Sequence, residues 1–173
     1  YQELMATRPL DIFIVGKNLD LVANEIARLE LPRQGVETLA PPVVRQAAEE
    51  RWHVEEVPAQ QTVLVLGYRT GVRYLDPGYY GLVVANGILG GFPHSKLFMN
   101  VRERSSLAYY VSSFVDGTKG VLMVNAGVSA AKVEEAVRII KEQVDALQQG
   151  QITPEELEQT NVGLCSSIAS MAD

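Results

Sequence analysis

The sequence is poor in the side chains that bind metals or form disulfides. Among 173 residues it has two histidines and one cysteine, so no internal disulfide can form. Cys165 lies among small residues of a predicted helix, where a cysteine is typically a small buried thiol, and we expect it to be buried. A lone cysteine is usual in reducing compartments, and a cytoplasmic location therefore fits the sequence best.

The chain also lacks the charge pattern and the apolar runs that nucleic acids and membranes require. Its net charge is −6, and no basic stripe is present to neutralise phosphates, which argues against nucleic-acid and membrane partners. No apolar run approaches the roughly 18 residues that span a bilayer, and no signal-peptide pattern is visible. The chain begins without Met and ends inside a helical pattern, so we expect it to be part of a longer protein.

No zinc site is predicted from the sequence. The segment His53-Val-Glu-Glu-Val57 approaches the H-x-x-E-H motif, but Val57 stands where the second histidine is required. In a predicted strand His53 and Glu56 point to opposite faces, whereas a catalytic zinc needs three protein ligands. His94 precedes a helix, and we expect it to have a structural role with a backbone partner. The nucleophile motif G-x-S-x-G and the P-loop are absent as well.

Hydrophobic patterning divides the chain into three parts. Residues 1–30 contain an apolar run at residues 10–15, predicted to be a buried strand, and then a helical pattern. Residues 31–50 contain three prolines and one glycine without sustained periodicity, which is typical of a linker between domains. Residues 51–173 are predicted to form a second, regular domain.

The pattern of residues 51–173 predicts an α+β fold. Strands are predicted at residues 52–57, 62–68, 107–115 and 121–128, the last two joined as a hairpin. Helices are predicted at residues 76–89, at residues 95–104, and from residue 129 to the stop signal at Gly150. Thr153-Pro154-Glu155-Glu156 is a capping box that begins the last helix. Strands in hairpin-like pairs, with helices in blocks, favour an antiparallel sheet with helices packed on one face.

Arg102 and Tyr109 are the candidate binding residues. Arg102 lies on a short predicted helix, and Tyr109 lies seven residues later in an aromatic, β-branched strand. A guanidinium and a phenol at this spacing can reach one point and hydrogen-bond the carbonyls of an extended peptide. The competing interpretation is a solvated surface arginine paired with Glu103 and a tyrosine at the rim of the sheet. Both interpretations remain open on spacing alone.

The same segment resembles a known family. Phe98, Arg102-Glu103, Leu107-Ala108-Tyr109 and Ser112-Ser113 resemble the signature of the pitrilysin/insulinase family of zinc metallopeptidases (the inverzincins), which includes mitochondrial-processing-peptidase-like proteins. In that family a small-Ser-x-Leu-Phe helix leads into Arg-Glu-Lys-x-Gly-Leu-Ala-Tyr. Two departures stand out: Ser106 replaces the usual glycine, and LGGFPHSKLF is most similar to the bacterial noncatalytic branch.

The resemblance covers nearly the whole chain and implies a clamshell of two similar α+β domains. Residues 1–30 then correspond to the strand-helix tail of the preceding zinc-domain-like unit, and residues 31–50 to the linker. Residues 51–173 correspond to the second, substrate-clamping domain, truncated at its C-terminus. In the catalytic members the zinc motif lies upstream of the residues present here. The resemblance assigns the grip on the substrate backbone to Arg102 and Tyr109.

The resemblance thus implies a noncatalytic substrate-binding portion of a zinc-dependent peptidase, inactive alone and without a cofactor of its own. Zinc would belong to another domain or to a catalytic or homologous partner subunit. The alternative is a structural or assembly subunit of the same fold with no proteolytic role. We also expect self-association of the chain, because the predicted strand at residues 10–15 would present an unpaired edge.

Overall fold

Two units, residues 1–42 and residues 43–173, make up the chain and are described separately. The computed structural model describes residues 2–29, 35, 43, 47 and 49–171. In the first unit, helix α1 spans Gln2–Thr7 and helix α2 spans Leu19–Ala27. Helix α2 agrees with the predicted helical pattern. The predicted linker at residues 31–50 lies mostly outside the described residues, and the assignment of the first unit to a preceding domain stays a prediction.

The predicted strand at residues 10–15 is wrong. None of these residues is in a strand, and Phe13 and Val15 are 93% and 84% exposed. An apolar run becomes a strand only where a neighbouring strand takes its backbone hydrogen bonds, and the described part of this unit offers none. The expected self-association rested on the edge of this strand. It therefore loses that support and stays a prediction.

The second unit is built on a three-stranded antiparallel sheet. Strand β1 spans Thr62–Arg69, β2 spans Ala108–Asp116 and β3 spans Val121–Val128, in the spatial order β1-β3-β2. Strand β3 is central, with Thr62 of β1 and Ala108 of β2 both opposite Val128. These strands lie within a residue or two of the predicted ones. The α+β class with an antiparallel sheet is confirmed.

Helices cover one face of the sheet. Helix α3 spans Tyr79–Asn86 and continues as a π-helix over Gly87–Gly91, and a second π-helix spans Phe98–Arg104. After β3 a 3₁₀ turn, Ala130–Lys132, leads into α4, Val133–Gln148, and α5 spans Pro154–Met171. Side chains of the inner sheet face pack with α4 and the π-helices in a continuous apolar core. Burial of each such Leu, Ile or Val side chain stabilises the unit by about 1.5–3 kcal/mol.

Two signals in the sequence account for the start of α5 and the end of α4, whereas α3 begins at Tyr79, three residues after the predicted start at residue 76. The Thr153 hydroxyl accepts a hydrogen bond from the Glu156 N–H at 3.1 Å, and the Glu156 carboxylate accepts one from the Thr153 N–H at 2.9 Å, so the predicted capping box is confirmed. Gly150 ends α4 with a φ of +71°, and the Gly150 and Gln151 N–H groups donate to the carbonyls of Leu147 and Ala146. This is a Schellman motif, which requires the left-handed conformation that glycine adopts without strain.

Two further predictions are wrong. Residues 52–57 form no strand and are exposed; Trp52 instead donates to Glu50 at 2.6 Å, and Lys141 lies 5.7 Å from its ring centre. Cys165 is exposed rather than buried. Thr160 is the buried residue of α5 among those described. Cys165 lies about 140° further around the helix axis, because each residue turns the helix by about 100°.

Gly90 permits the close approach of a π-helix to β2. A methyl group at Gly90 would lie 2.6 Å from the Ser113 hydroxyl oxygen, 2.8 Å from the Ser113 backbone nitrogen and 2.9 Å from a Leu97 methyl carbon. The backbone nitrogen belongs to the paired strand β2 and cannot move cheaply. Gly90 therefore has a packing role.

We expect Gly90→Ala to lower the free energy of unfolding by about 2–3 kcal/mol, because the added methyl overpacks a rigid contact. Gly81→Ala in helix α3 is the matched control, since nothing lies within 4 Å of a methyl group there. We expect that control to raise stability by about 0.5–1 kcal/mol. Urea unfolding of both variants makes the measurement, and equal effects of the two would contradict the packing role.

A mostly buried ion pair ties α5 to the helix start at Ser95. The Lys96 ammonium lies 2.9 Å and 3.1 Å from the two carboxylate oxygens of Glu156, with side chains 10% and 22% exposed. Burial by itself raises the pKa of the Glu156 carboxyl. Hydrogen bonds from the Thr153 N–H and from Lys96 outweigh burial, so the pKa lies below its ordinary value.

A lowered carboxyl pKa makes stability depend on pH in one direction. The contribution of Glu156 is fully present above the carboxyl pKa of the unfolded chain, about 4.3, and is lost as pH falls through the lower folded-state value. We expect Glu156→Gln to lower the free energy of unfolding by about 1–3 kcal/mol at pH 7. On acidification to about pH 3, the variant should then lose less stability than the parent chain loses.

The exposed Arg138–Glu142 pair on α4 supplies the control. We expect Glu142→Gln to change stability by at most about 0.5 kcal/mol at pH 7. Chemical unfolding across pH 3–7 compares the three proteins. A Glu156→Gln curve parallel to that of the parent chain would show that titration of Glu156 does not contribute to the pH dependence of stability.

Candidate functional site

Arg102 projects from the π-helix Phe98–Arg104 with its side chain 44% exposed. Its guanidinium carbon lies 4.8 Å from the ring centre of Phe98, one helical turn earlier, so a cation–π contact orients the group. The Glu103 carboxylate lies 3.9 Å from the Arg102 Nε atom, which is too long for a hydrogen bond. Glu103 therefore does not occupy the hydrogen-bond donors of the Arg102 guanidinium, which remain available to a ligand.

Side chains anchor this π-helix to α4. The Asn100 amide donates to the Lys96 carbonyl at 2.9 Å and to Gln143 Oε1 at 2.8 Å. The Ser105 hydroxyl donates to the Asn100 carbonyl at 2.7 Å. The wider winding was not predicted from the sequence, which indicates only a helix here. π-Helical turns are frequently found at functional sites.

A left-handed serine ends the π-helix. Ser106 has a φ of +49°, its N–H donates to the Arg102 carbonyl at 3.0 Å, and the Leu107 N–H donates to the Val101 carbonyl at 3.0 Å. This conformation costs a residue with a side chain about 1–2 kcal/mol, whereas glycine adopts it freely. The departure from glycine noted in the sequence therefore places strain directly between Arg102 and Tyr109.

Tyr109 occupies a β-bulge. Ala108 lies opposite Val128, and Tyr110 lies opposite the next residue, Gly127, so Tyr109 has no partner of its own on β3. The bulge breaks the alternation of the strand and leaves both tyrosines exposed, Tyr109 at 62%. A methyl group on Gly127 would lie 2.3 Å from the Tyr110 ring, so that ring covers Gly127. Tyr109 is the tyrosine of this pair that lines a cleft with Arg102.

Arg102 and Tyr109 line one cleft of about 450 Å³. We call it the Arg102 cleft; its lining residues are Arg102, Glu103, Ser106, Leu107, Ala108, Tyr109, Ser129 and Lys132. The Lys132 ammonium donates to the Ser106 carbonyl at 3.1 Å. Ser129 and Lys132 were not predicted as site residues from the sequence. The predicted hairpin could have indicated them, because residues that follow β3 must lie beside residues that precede β2.

Neither histidine takes part in this cleft. His53 is exposed outside any helix or strand. His94 Nε2 lies 3.1 Å from the Thr160 hydroxyl, and its ring stacks on Phe92 at 5.3 Å, a structural contact with a side chain instead of the expected backbone group. Across residues 2–29 and 49–171 no three His, Cys, Asp or Glu side chains come together as metal ligands. The described residues thus do not fit a zinc site.

A larger cleft of about 680 Å³ beside β1 is lined by two ion pairs and by Arg69. Lys141 lies 2.8 Å from both Glu50 oxygens, and Arg51 lies 3.0 Å from Glu49. The Lys141 hydrogen bond, followed by that from Trp52, lowers the pKa of the Glu50 carboxyl. These pairs occupy Lys141 and Arg51, whereas the Arg102 cleft holds both residues that were predicted from the sequence and is therefore the stronger candidate.

A three-stranded antiparallel sheet covered by helices on one face defines the second unit as an α+β domain, and its described residues gather no cluster of metal ligands. A family profile described as the Peptidase M16 inactive domain matches residues 10–161. The chain belongs to the peptidase M16 family, and the resemblance to the pitrilysin/insulinase zinc metallopeptidases is confirmed. None of the described helices is both long and apolar enough to cross a membrane.

Curated relatives agree with this assignment. The chain is 35% identical over 178 residues to the "Probable inactive metalloprotease YmfF" of Bacillus subtilis, covering 100% of the chain and 41% of that protein. It is 34% identical over 113 residues to the "Uncharacterized zinc protease YmxG" of the same organism, covering 63% of the chain and 27% of that protein. The chain thus spans less than half the length of these relatives.

Solved structures share the fold. A conserved protein from Enterococcus faecalis superposes with a TM-score of 0.69 at 34% identity, covering 91% of this chain and 37% of that one. The peptidase M16 inactive domain from Pseudomonas fluorescens gives a TM-score of 0.66 at 26% identity, covering 88% and 37%. The second of these structures bears the same domain description as the matching family profile.

We expect Ser106→Gly to raise the free energy of unfolding by about 1 kcal/mol, because glycine removes the left-handed strain. Ser105→Gly is the neighbouring control. Ser105 has a right-handed φ of −97° and donates to Asn100, so its replacement should lower stability by about 1 kcal/mol. Thermal and urea unfolding test both variants. A loss of stability in Ser106→Gly would show that the serine side chain makes a compensating contact.

Proposed function

We propose that this chain is the noncatalytic, substrate-gripping portion of an M16 peptidase-type protein. The observation that carries the proposal is the position of Arg102 and Tyr109, which line one cleft at the start of β2. Strand β2 is an edge of the sheet, and among the described strands only β3 pairs with it. An extended peptide can lie along such an edge. The guanidinium and the phenol would then donate hydrogen bonds to its carbonyl oxygens.

Hydrolysis in this proposal takes place at a zinc site elsewhere, in another domain or in a catalytic or homologous partner subunit. Relatives named as zinc proteases support the family chemistry, and the described residues of this chain supply no ligands for it. The chain contributes position and orientation of the peptide and is inactive alone. A cytoplasmic location is part of the proposal, supported by the single cysteine.

A structural or assembly subunit of the same fold is the second candidate. The observation in its favour is the exposed apolar surface on the outer sheet face, where Val63 is 66% exposed, Val65 50% and Phe114 44%. Exposed apolar patches are typical of interfaces between proteins. This candidate predicts a stable complex in which the Arg102 cleft has negligible affinity for peptides.

We expect Arg102→Ala in the complete protein, assembled with any partner subunit, to lower peptide turnover by about 100-fold, since a misplaced substrate reacts far more slowly. Tyr109→Phe removes only the hydroxyl and should weaken peptide binding by about tenfold. The measurements are cleavage of a quenched fluorescent peptide and calorimetric titration of the same sequence.

Arg104→Ala is the matched control, because Arg104 lies on the same π-helix but bonds to Asn100 outside the Arg102 cleft. It should leave turnover and affinity unchanged. Unchanged cleavage and affinity in Arg102→Ala would refute the grip. A stable complex without measurable peptide binding would favour the structural subunit.

A further inference from the structure

We propose that the Arg102 cleft binds a carboxylate group of the peptide, with Lys132 as its second cationic anchor. This inference rests on the proposed function and specifies its substrate class: peptides that present either an acidic side chain or a free C-terminus to the cleft. The two sources share one chemistry, a planar anion with two acceptor oxygens. A guanidinium matches that geometry with two parallel hydrogen bonds.

The charges that line the cleft favour an anion. Arg102 and Lys132 are the cations of the lining, and Glu103 is its acid. Glu103 is 3.9 Å from the Arg102 Nε atom and therefore makes no hydrogen bond that would occupy the guanidinium. One net positive charge remains at the cleft, on a chain whose net charge is −6. Such a local excess has to be matched by a ligand or by solvent ions.

Lys132 is held in place without being neutralised. Its ammonium donates to the Ser106 carbonyl at 3.1 Å, and a carbonyl is an uncharged acceptor. An ammonium has three donors, so two remain for a ligand. Ser106 is the strained residue that ends the π-helix of Arg102. Arg102 and Lys132 are therefore both hydrogen-bonded to Ser106, the first through its backbone carbonyl, and both line the cleft.

The start of α4 adds a third favourable feature. Ser129 lines the cleft, has an extended φ and ψ of −74° and 147°, and makes no side-chain capping bond, so its hydroxyl is available as a donor. The 3₁₀ turn and the 16-residue α4 follow it. The N-terminal end of a helix carries a partial positive charge that attracts anions. Glu134 and Glu135 lie in the first turn but outside the cleft lining.

The test compares three acetylated peptides of equal length and otherwise identical sequence, titrated calorimetrically into the complete protein with any partner subunit. One carries a central glutamine and an amidated C-terminus, one a central glutamate and an amidated C-terminus, and one the glutamine and a free C-terminus. We expect one carboxylate peptide to bind about tenfold more tightly than the neutral peptide. The tighter one identifies the source of the carboxylate, and added salt should reduce the difference.

Variants separate this inference from a general charge effect. Lys132→Gln should abolish most of the preference, and Lys132→Arg should retain it. Lys119→Gln changes the net charge equally at the far end of the β2–β3 hairpin, where Lys119 pairs with Asp116 at 3.3 Å, and should retain the preference. Equal affinities for the three peptides, or a preference that survives in Lys132→Gln, would overturn the inference.

The outcomes also distinguish this inference from the proposal beneath it. If the neutral peptide binds in an Arg102-dependent way and the carboxylate peptides bind no better, the grip stands and the carboxylate site does not. If none of the three peptides binds, the proposed function fails, and the carboxylate site fails with it. Unfolding curves of each variant verify that the fold is intact.

Discussion

Pairing of β3 with both of its neighbours is the constraint on which the second unit depends. β3 takes hydrogen bonds from β1 on one side and β2 on the other, and Val124, Ala126 and Val128 on its inner face are fully buried. Because side chains alternate along a strand, a shift of one residue would turn this face to solvent. The same register brings the segment before β2 beside the segment after β3. The core and the Arg102 cleft are therefore consequences of one pairing.

Local signals in the sequence are sufficient where the structure they encode is local. The capping box at Thr153, the helix stop at Gly150 and the β2–β3 hairpin each depend on residues a few positions apart, and each could be predicted. Residues 10–15 and 52–57 show the limit, since a strand depends on a distant partner that no local pattern reveals. Cys165 shows the same limit for a helix, because composition does not tell which face meets the core.

The same distinction between local and distant signals applies to the residues of the Arg102 cleft. Arg102 and Tyr109 lie close together in sequence and were predicted as a pair. Lys132 follows the β2–β3 hairpin in the chain and was not predicted as a site residue. The β-bulge at Tyr109 and the π-helix under Arg102 also escaped prediction, because both are one-residue adjustments of regular winding. They are stabilised by packing and side-chain bonds, such as those of Asn100, that form only in the assembled unit. Around the cleft, the regular helix and strand could be predicted, and the bulge and the π-helical winding that position the side chains could not.

These irregularities are costly, and their position is informative. The left-handed Ser106 costs about 1–2 kcal/mol, and the bulge leaves Tyr109 without a partner on β3. Both irregularities lie in the Arg102 cleft, and the described residues offer no cluster of metal ligands. Strained backbone persists where the surrounding structure over-determines it, and such strain clusters at binding and catalytic sites. The position of this strain between Arg102 and Tyr109 is thus an argument in favour of the binding role that we propose for the Arg102 cleft.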